Sequence, residues 1–532
     1  LTPPDRPNIL LIVIDDVGFS DLGVYGSEIR TLHIDSIARR GLTFTDFHVG
    51  MTCSPTRAMM LTGVDNHLAG LGNMAGVTAQ NQLGQPGYEG HLNDQVVPVP
   101  EILQASGYRT YMAGKWHLGY DTGYRPVQQG FDHSFALLNA GASHFNDMRG
   151  LIERSARASY LADDEPVESL PPDFFSSTFY VQRMIDFIQA DEASDAPFFA
   201  YLAFTAPHWP LGVPDEYLDL YQGDYDEGYD IWRQRRLDSV NATGILDQQL
   251  TELPRLDGVA AWDDLPPEVQ KRESRKMELY AAMIEHLDMQ IGRLLDYLAD
   301  AGMMDNTAIL LMSDNGSEGN DRSRIATNAE WLPRAWDLSY ENMGKKDSYV
   351  YYGAGWGQVS SAPFRLFKAY PAEGGTRVPL IVSLPGQDTQ GETGDTFATV
   401  VDIAPTLLQL AGIPVPEASI EEGAMHEMQG TSLLPYVEGQ VDRVHDPDYA
   451  FGWELFGHRA VRKGPWKLLW IDDGNGQGEW QLYNLVQDPA ETNDLSGAEP
   501  EKLAEMIREW SLYVERNGVI LPDGGQDKAF GY

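Results

Sequence analysis

Asn8-Ile-Leu-Leu-Ile-Val-Ile14, with Asp15-Asp16 directly after it, is the stretch that decides the fold of this 532-residue chain. The six residues from Ile9 to Ile14 are all apolar and mostly β-branched, which is typical of a parallel strand covered on both faces by helices. Such a strand lies near the centre of an α/β sheet. The stretch therefore predicts a central parallel strand that carries two carboxylates at its C-terminal end.

Similar apolar runs recur along the chain between helical patterns, at residues 110–113, 198–204, 307–312 and 379–383. The clearest helix precedes the run at 307–312 and stops before Gly302. Its apolar stripe has the 3-and-4 spacing of a helix and is formed by Met277, Tyr280, Ile284, Leu287, Ile291, Leu294 and Leu298. Strands that alternate with helices predict an α/β fold with a large mixed, mostly parallel sheet flanked by helices.

After about residue 449 the pattern changes to short strand-like pieces between Gly and Asp turns, followed by an amphipathic helix at 501–514. This pattern predicts a small antiparallel sheet with one helix packed on it. We therefore divide the chain into a large α/β domain, residues 1–440, and a C-terminal sheet-and-helix domain, residues 441–532. Two stretches, 144–175 and 213–264, lack clear periodicity and are predicted to be long surface excursions, which are often functional.

Composition excludes several classes of protein and partner. The chain has 38 Lys and Arg against 79 Asp and Glu, and its net charge of −41 repels nucleic acids and anionic membrane surfaces. The apolar runs are too short to span a membrane. Cys53 is the only cysteine, which excludes an intramolecular disulfide and a Cys-rich zinc site. No export signal is visible after Leu1, so we expect a soluble cytoplasmic protein, or a periplasmic one if a leader has been removed.

Polar residues follow two of the predicted strands. Asp15 and Asp16 follow the first strand, and Asp314 and Asn315 follow the run at 307–312. In open α/β sheets, ligands gather at the carboxyl ends of the strands. An Asp taken singly is commonly a turn or cap residue. Three carboxylates and an amide oxygen at two strand ends are hard ligands, however, and they predict a site for calcium or magnesium.

Cys53 begins the segment Cys53-Ser-Pro-Thr-Arg57, in which Pro55 is placed to open a helix. The N–H groups of that helix terminus would point toward position 53 and favour an anion there. A lone cysteine is commonly a small buried hydrophobe, but the polar neighbours and Arg57, one turn on, favour a site. A metal-free site with a thiolate nucleophile and a histidine base also stays open.

Further basic residues follow strand-like runs. Lys115 and His117 stand two apart after a short strand, so both project to one side if the chain stays extended. His208 follows the run at 198–204 in the same way. Lys and His that project together from a strand end indicate a functional site. Lys368 by itself is most simply an exposed lysine.

Together these motifs resemble those of formylglycine-dependent type I sulfatases, and in particular the bacterial arylsulfatases of the alkaline phosphatase superfamily. Cys53-Ser-Pro-Thr-Arg57 matches the signature C-x-P-x-R, and residues 107–118 resemble the second signature with its Gly-Lys-x-His. The resemblance covers nearly the full length; it includes Ala206-Pro-His208-Trp-Pro, Met312-Ser-Asp-Asn-Gly316 and Phe451-Gly-Trp-Glu-Leu-Phe456. It implies an alkaline phosphatase-like fold and an enzyme that hydrolyses sulfate monoesters of the aryl type.

The resemblance also implies a role for each candidate residue. Cys53 would be oxidised to formylglycine by a separate formylglycine-generating enzyme, and the hydrate of its aldehyde would be the nucleophile. One divalent cation, usually calcium, would contact residue 53 and be bound by Asp15, Asp16, Asp314 and Asn315. The residues that would hold the diol and the sulfate are Arg57, Lys115 and His117. The residues that would face the sulfate and the leaving oxygen are His208 and Lys368.

The implied reaction uses both hydroxyls of the hydrate. One attacks sulfur and expels the alcohol, and the other then ejects sulfate from the covalent intermediate and restores the aldehyde. Three cationic side chains and a divalent metal outnumber three carboxylates, which suits a small anionic sulfate ester. Two other functions stay open: a phosphate or phosphonate ester hydrolase on the same scaffold, and a catalytically silent calcium-dependent binding protein in which Cys53 remains a thiol.

Overall fold

The computed structural model describes residues 6–74, 76–248, 250, 253–320, 326–387, 391–416, 425–471, 476 and 478–523. In chain order the strands are β1 (Asn8–Ile14), β2 (Leu42–Phe44), β3 (Phe47–His48), β4 (Arg109–Lys115), β5 (His133–Leu137), β6 (Arg149–Ile152), β7 (Ser155–Arg157), β8 (Tyr160–Ala162), β9 (Glu165–Pro166), β10 (Phe198–Ala203), β11 (Thr307–Ser313), β12 (Leu380–Ser383), β13 (Thr393–Gly394), β14 (Ala398–Thr399), β15 (Ala450–Leu455), β16 (His458–Lys463), β17 (Trp466–Trp470) and β18 (Gln481–Asn484). The helices are α1 (Leu32–Arg40), α2 (Cys53–Thr62), α3 (Val99–Ala105), α4 (Ser176–Ala190), α5 (Tyr229–Thr243), α6 (Pro267–Asp300), α7 (Ala326–Ala335), α8 (Gly353–Ser360), α9 (Glu373–Thr376), α10 (Ile403–Leu410), α11 (Leu434–Val437) and α12 (Pro500–Asn517).

A ten-stranded sheet forms the centre of the molecule, in the order β13-β2-β12-β11-β1-β10-β4-β5-β8-β9. The five middle strands, β11 to β5 in this order, are parallel to one another. Antiparallel pairs lie toward the two edges, at β11–β12, β12–β2, β5–β8 and β8–β9. The prediction of a large mixed, mostly parallel sheet with β1 at its centre is confirmed.

The residues of β1 are buried on both faces of this sheet, which explains why the strand has no polar alternation. Leu10, Ile12 and Ile14 belong to the hydrophobic cluster that is covered by helices α1, α4 and α6. The intervening residues of β1 belong to a second cluster on the opposite face, covered by α2, α3 and α10. The two clusters hold the sheet rigidly between helices, so that its carboxyl edge can position functional side chains.

Two elements are longer than the sequence predicts. Helix α6 contains the whole predicted stripe and ends before Gly302, whose φ of +69° is left-handed. Strand β4 continues through Gly114 to Lys115. Gly114 has a φ of +118°, and a Cβ there would lie 1.8 Å from the carbonyl oxygen of Ala203 in the neighbouring β10. Glycine at this position therefore allows β4 to stay paired until it delivers Lys115 to the edge of the sheet.

The C-terminal strands β15 to β18 form the predicted antiparallel sheet, and α12 packs on one face of it. The other face carries Trp453 and Leu469, which belong to the same hydrophobic cluster as α2 and β1. The boundary between domains at residues 440 and 441 stays a prediction. Within the described residues, no helix is both long enough and apolar enough to cross a membrane.

Most described residues of 144–175 and 213–264 lie at or near the surface, as predicted, but both stretches contain more regular structure than their lack of periodicity indicates; residues 249, 251 and 252 lie outside the described residues. The first stretch contains β6 to β9, of which β8 and β9 extend the large sheet. The second contains α5, whose Arg236 is fully buried and bonded to Asp21 and Glu28. Because α5 buries an arginine in an ion-pair network, its inward face carries no regular apolar stripe.

Candidate active site

The carboxyl ends of β1 and β11 bring the four predicted metal ligands together. The two strands are parallel neighbours with Ile14 opposite Ser313, so the residues that follow them emerge side by side. The ligands are all buried, and they are Asp15, Asp16, Asp314 and Asn315. One ligand atom from each of the three aspartates lies within 4.8 Å of the others and of the Cys53 sulfur.

The unsatisfied atoms of this group fit a divalent cation. Asp15 Oδ1, Asp16 Oδ2 and Asn315 Oδ1 are buried and accept no hydrogen bond from the described part of the chain. Leaving such an acceptor unsatisfied costs about 1–3 kcal/mol. Oxygen ligands lie roughly 2.3–2.6 Å from calcium, so ligands on opposite sides of one ion are about 5 Å apart. The observed spread and the oxygen-rich donor set therefore suit calcium.

The three aspartates differ in the direction in which their surroundings shift the pKa. Burial raises the pKa of Asp15, and it raises the pKa of Asp16 to about 8. Burial acts in the same direction on Asp314, but Arg57 and the two nearby lysines overcome it and hold its pKa below the usual value. A cation between the carboxylates would favour the ionised form of all three.

Arg57 connects the helix that begins at Cys53 to the end of the sheet. Its side chain is fully buried, and Nε and Nη2 donate to Asp314 Oδ2 over 2.9 Å and 2.7 Å. Nη1 donates to the carbonyl oxygen of Lys115 over 3.0 Å and to the Tyr201 hydroxyl over 3.1 Å. Sequence reasoning missed Tyr201, because its hydroxyl lies within an apolar run where an aromatic residue is expected for packing.

Two lysines each bond one of the paired aspartates. Lys115 Nζ lies 2.7 Å from Asp15 Oδ2, and Lys368 Nζ lies 2.6 Å from Asp16 Oδ1. Lys368 is only 3% exposed, so its interpretation as an exposed lysine is wrong. Burial opposes the charge of both lysines, but the neighbouring carboxylates outweigh it and raise the pKa of each. Both ammonium groups therefore remain charged beside the candidate metal ligands.

Cys53 is the first residue of α2 and is 1% exposed. Burial raises the pKa of its thiol to about 12, so the unmodified side chain is protonated at neutral pH. A thiolate nucleophile, one of the alternatives that the sequence leaves open, is disfavoured by this environment.

His117 lines the same cavity as Cys53, but extended strand geometry does not place it there. Its φ of +58° shows that the chain leaves the extended conformation after Lys115, so alternation along a strand does not orient the two side chains. Burial, followed by the charge of Lys115, lowers the pKa of His117 well below its usual value. The ring is therefore neutral, and its buried Nδ1 has no hydrogen-bond partner among the described residues.

His208 follows β10 and completes the group of basic side chains. Its Nε2 lies 3.8 Å from Asp16 Oδ2, and its Nδ1 lies 2.6 Å from the carbonyl oxygen of Trp209. The backbone of His208 is also held, because its carbonyl oxygen lies 2.9 Å from Nε2 of the buried His144. The ring is thus placed at the same aspartate as Lys368.

A cavity of about 470 Å³ lies over these residues. Four predicted site residues line its floor: Cys53, His117, His208 and Lys368. Arg57 and Lys115 lie behind the floor, fully buried. The wall residues include Met74, Val77, Tyr120, Leu151, Ile152 and Trp209. The volume is in the range of sites for small organic ligands.

Glu318 also lines this cavity and was missed by the sequence reasoning. Its Oε2 lies 3.5 Å from Lys368 Nζ and accepts a hydrogen bond from Trp209 Nε1 over 3.4 Å. Its Oε1 accepts the backbone N–H of Asn320 over 2.9 Å. The available signal was its position, two residues after Gly316 in the motif that follows β11.

Comparison with known proteins gives consistent matches along the chain. The sulfatase family matches residues 7–413, and the family described as N-sulphoglucosamine sulphohydrolase, C-terminal, matches residues 365–513. An uncharacterized sulfatase of Schizosaccharomyces pombe is 42% identical over 97% of this chain and 94% of its own length. An arylsulfatase of Klebsiella aerogenes is 38% identical over 81% of this chain and 91% of its own length. The crystal structure of Ps i-CgsB in complex with k-i-k-neocarrahexaose superposes with a TM-score of 0.68 at 23% identity. The match covers 98% of this chain and 95% of that chain, which shows a shared fold.

Proposed function

The chain belongs to the sulfatase family and is a sulfuric ester hydrolase, and on that premise we propose that it hydrolyses aryl sulfate monoesters at residue 53 carried as formylglycine. The proposal includes a sulfated formylglycine-hydrate intermediate and one calcium ion. The observation that carries it is the burial of Cys53 among three cationic side chains and the oxygen ligands of a cation site. A separate maturing enzyme would convert Cys53.

One set of side chains acts on the sulfate group and another on the leaving oxygen of the scissile S–O bond. Arg57 and Lys115, fixed behind the floor of the cavity, hold residue 53 and the sulfate. The neutral ring of His117 hydrogen-bonds the diol at position 53. A calcium ion at the four oxygen ligands would supply a Lewis acid toward the sulfate oxygens and the attacking hydroxyl.

His208 and Lys368 are the residues that we assign to the leaving oxygen. Lys368 is held charged by Asp16 and Glu318, so it can donate a hydrogen bond or a proton to an oxygen that gains negative charge. His208 lies against the same Asp16. Both residues face the cavity rather than the interior behind it.

The walls of the cavity support an aryl alcohol. Tyr120 and Trp209 supply aromatic surface, and Met74, Val77 and Leu151 supply aliphatic surface. Burial of a planar ring against such surfaces favours binding by roughly 25 cal/mol per Å² of apolar area removed from water. A sulfate group held at the floor would place the ring of an aryl ester between these walls.

The proposal is tested by mass and by rate on the same preparation. Peptide mass spectrometry across Cys53 should show loss of sulfur and two hydrogens and gain of one oxygen. Rates on matched nitrophenyl sulfate, phosphate and phosphonate esters should favour sulfate. Fully active protein with only a thiol at position 53 would contradict the formylglycine assignment, and a preference for phosphate or phosphonate would contradict the substrate assignment.

A further inference from the structure

Arg154 is an exposed residue that lines the cavity, whereas Cys53, His117, His208 and Lys368 are buried; we call its exposed part the rim. It belongs to the two-residue turn between β6 (Arg149–Ile152) and β7 (Ser155–Arg157), and it lines the same cavity as Cys53 and Lys368. The turn falls in a stretch that the sequence predicted to be a surface excursion. The cavity thus carries a cationic side chain in addition to Lys368.

The guanidinium of Arg154 contacts the backbone of another segment that lines the cavity. Its Nη1 donates to the carbonyl oxygen of Gly76 over 2.9 Å. The group also packs over Gly76, where a Cβ would lie 3.3 Å from Nη2. The contact joins the β6–β7 turn to the segment that contains Val77, which also lines the cavity.

Arg154 makes no ion pair with any residue that the structure describes, although the chain has 79 acidic residues. The adjacent Glu153 instead lies 3.8 Å from Arg334. A guanidinium has five N–H donors, and the bond to Gly76 uses one of them. The remaining donors are available to a ligand in the cavity.

The other charged groups of the cavity are already paired, so Arg154 is the group that can bind an additional anion. Among the described residues that line the cavity, Glu318 is the only carboxylate, and it is already contacted by Lys368, Trp209 and the Asn320 N–H. The lining also includes the apolar Leu151 and Ile152, which end β6 directly before the turn that contains Arg154. A ligand that fits this distribution has a sulfate at one end, an apolar middle and a second anionic group at the other end.

We infer that Arg154 forms a subsite for a second anion, a carboxylate or a second sulfate, on the alcohol part of the substrate. This inference rests on the proposed function, because it orients the ester with its scissile sulfate at the floor. Both anions present paired oxygens to the planar guanidinium, which can bind them through two parallel hydrogen bonds.

The test compares substrates that differ only in charge at the rim. The 3- and 4-isomers of carboxyphenyl sulfate are compared with the corresponding carboxamides and sulfonates, in the wild type and in Arg154→Gln. Binding is measured by calorimetry on the Cys53→Ala protein with and without Arg154→Gln, so that affinity is determined without turnover. Arg334→Gln is the matched control, since it removes an exposed arginine that pairs with Glu153 but does not line the cavity.

For the 3-isomer, the 4-isomer or both, we expect the anionic phenyl sulfate to bind about 2- to 5-fold more tightly than the corresponding carboxamide. This difference in affinity is what a partly exposed ion pair contributes. The ratio should fall to about one in Arg154→Gln or at 0.5 M salt, and should persist in Arg334→Gln. A preference for carboxylate over sulfonate, or the reverse, identifies the anion. Equal binding of anion and carboxamide to the wild type, for both isomers, would overturn the subsite, whereas absence of sulfate ester hydrolysis with every substrate would overturn the proposed function instead.

Discussion

Lys115 Nζ lies 2.7 Å from Asp15 Oδ2, and neither side chain is exposed to solvent. The pair joins the end of β4 to the end of β1, two strands that are separated in the sheet by β10. The other oxygen of the Asp15 carboxylate, Oδ1, is one of the unsatisfied atoms of the candidate metal site. The same carboxylate therefore neutralises a buried lysine and offers a ligand to a cation.

Asp15→Asn should destabilise the protein and weaken metal binding together. The substitution removes the charge that faces Lys115, and loss of one partner of a buried pair costs about 3–5 kcal/mol. Denaturant unfolding and calcium content measure the two effects. Asp164→Asn is the control, because Asp164 is 2.9 Å from Arg125 but 42% exposed, and it should change stability by no more than about 1 kcal/mol. Equal effects of the two substitutions would contradict the assignment.

Removal of the cation by a chelator should lower both the melting temperature and the activity. Without it, three carboxylates and several unsatisfied acceptors remain buried together. Added calcium should restore the melting temperature in a concentration-dependent manner, since a ligand of the native state stabilises it by mass action. The assignment fails if elemental analysis finds active protein without a bound metal.

Cys53→Ser should abolish turnover but permit one covalent sulfation. Serine supplies a hydroxyl that can attack sulfur, but it has no second hydroxyl to expel the sulfate. Intact-mass analysis after incubation with substrate should therefore show a stoichiometric sulfate adduct, and Cys53→Ala should show none. Normal turnover by the serine variant would contradict the diol mechanism.

His67, which lies away from the catalytic residues, should make the free energy of unfolding depend on pH. Its ring lies 2.8 Å from Asp65 and 3.3 Å from Glu454 in the C-terminal sheet. Burial opposes the charge of the ring, but the two carboxylates outweigh it and raise its pKa from 6.5 to about 9. Because the folded-state pKa is the higher one, the stabilisation is fully present below pH 6.5 and is lost as pH rises through 9.

The corresponding measurement is the free energy of unfolding of the wild type and of His67→Gln at several pH values. The difference between them should narrow by on the order of 3 kcal/mol between pH 6 and pH 9.5. His133→Gln is the control, because the His133 side chain is 45% exposed and lies 3.4 Å from Asp163, whose side chain is 50% exposed. A difference that does not change with pH would show that His67 acts through packing alone.

The sequence could predict the parts of the site that follow from local pattern. The apolar runs locate β1 and β11, and the rule that ligands gather at carboxyl ends places Asp15 beside Asp314. The start of α2 at Cys53 agrees with the position of Pro55, close to the helix N-terminus. Motif resemblance adds the family and the proposed roles.

The remaining parts depend on contacts between distant segments. Nothing near Lys368 in the sequence shows that it is buried against Asp16, and nothing near Tyr201 shows that it bonds Arg57. Arg154 lies in a stretch without clear periodicity, because its short strands alternate too briefly to be detected. Such residues gain their function from the packing of the sheet and its insertions, which local spacing does not encode.

The leaving-group roles of His208 and Lys368 predict how their loss depends on the substrate. Assistance by an acid contributes about 10²- to 10⁴-fold when the leaving group is poor, but an activated phenolate departs with little help. His208→Ala and Lys368→Ala should therefore lower kcat/KM less for nitrophenyl sulfate than for phenyl or alkyl sulfates. Lys345→Ala removes an exposed lysine outside the cavity and should leave the whole series unchanged.

A plot of log kcat/KM against leaving-group pKa separates this role from simple sulfate binding. The sulfate group is the same in every substrate, so a residue that only binds it would lower all rates by one factor and give parallel lines. A residue that assists departure gives a steeper line in its alanine variant. The charged state of Lys368, maintained by Asp16 and Glu318, makes it the donor whose loss should steepen the line; parallel lines would instead assign both residues to the sulfate.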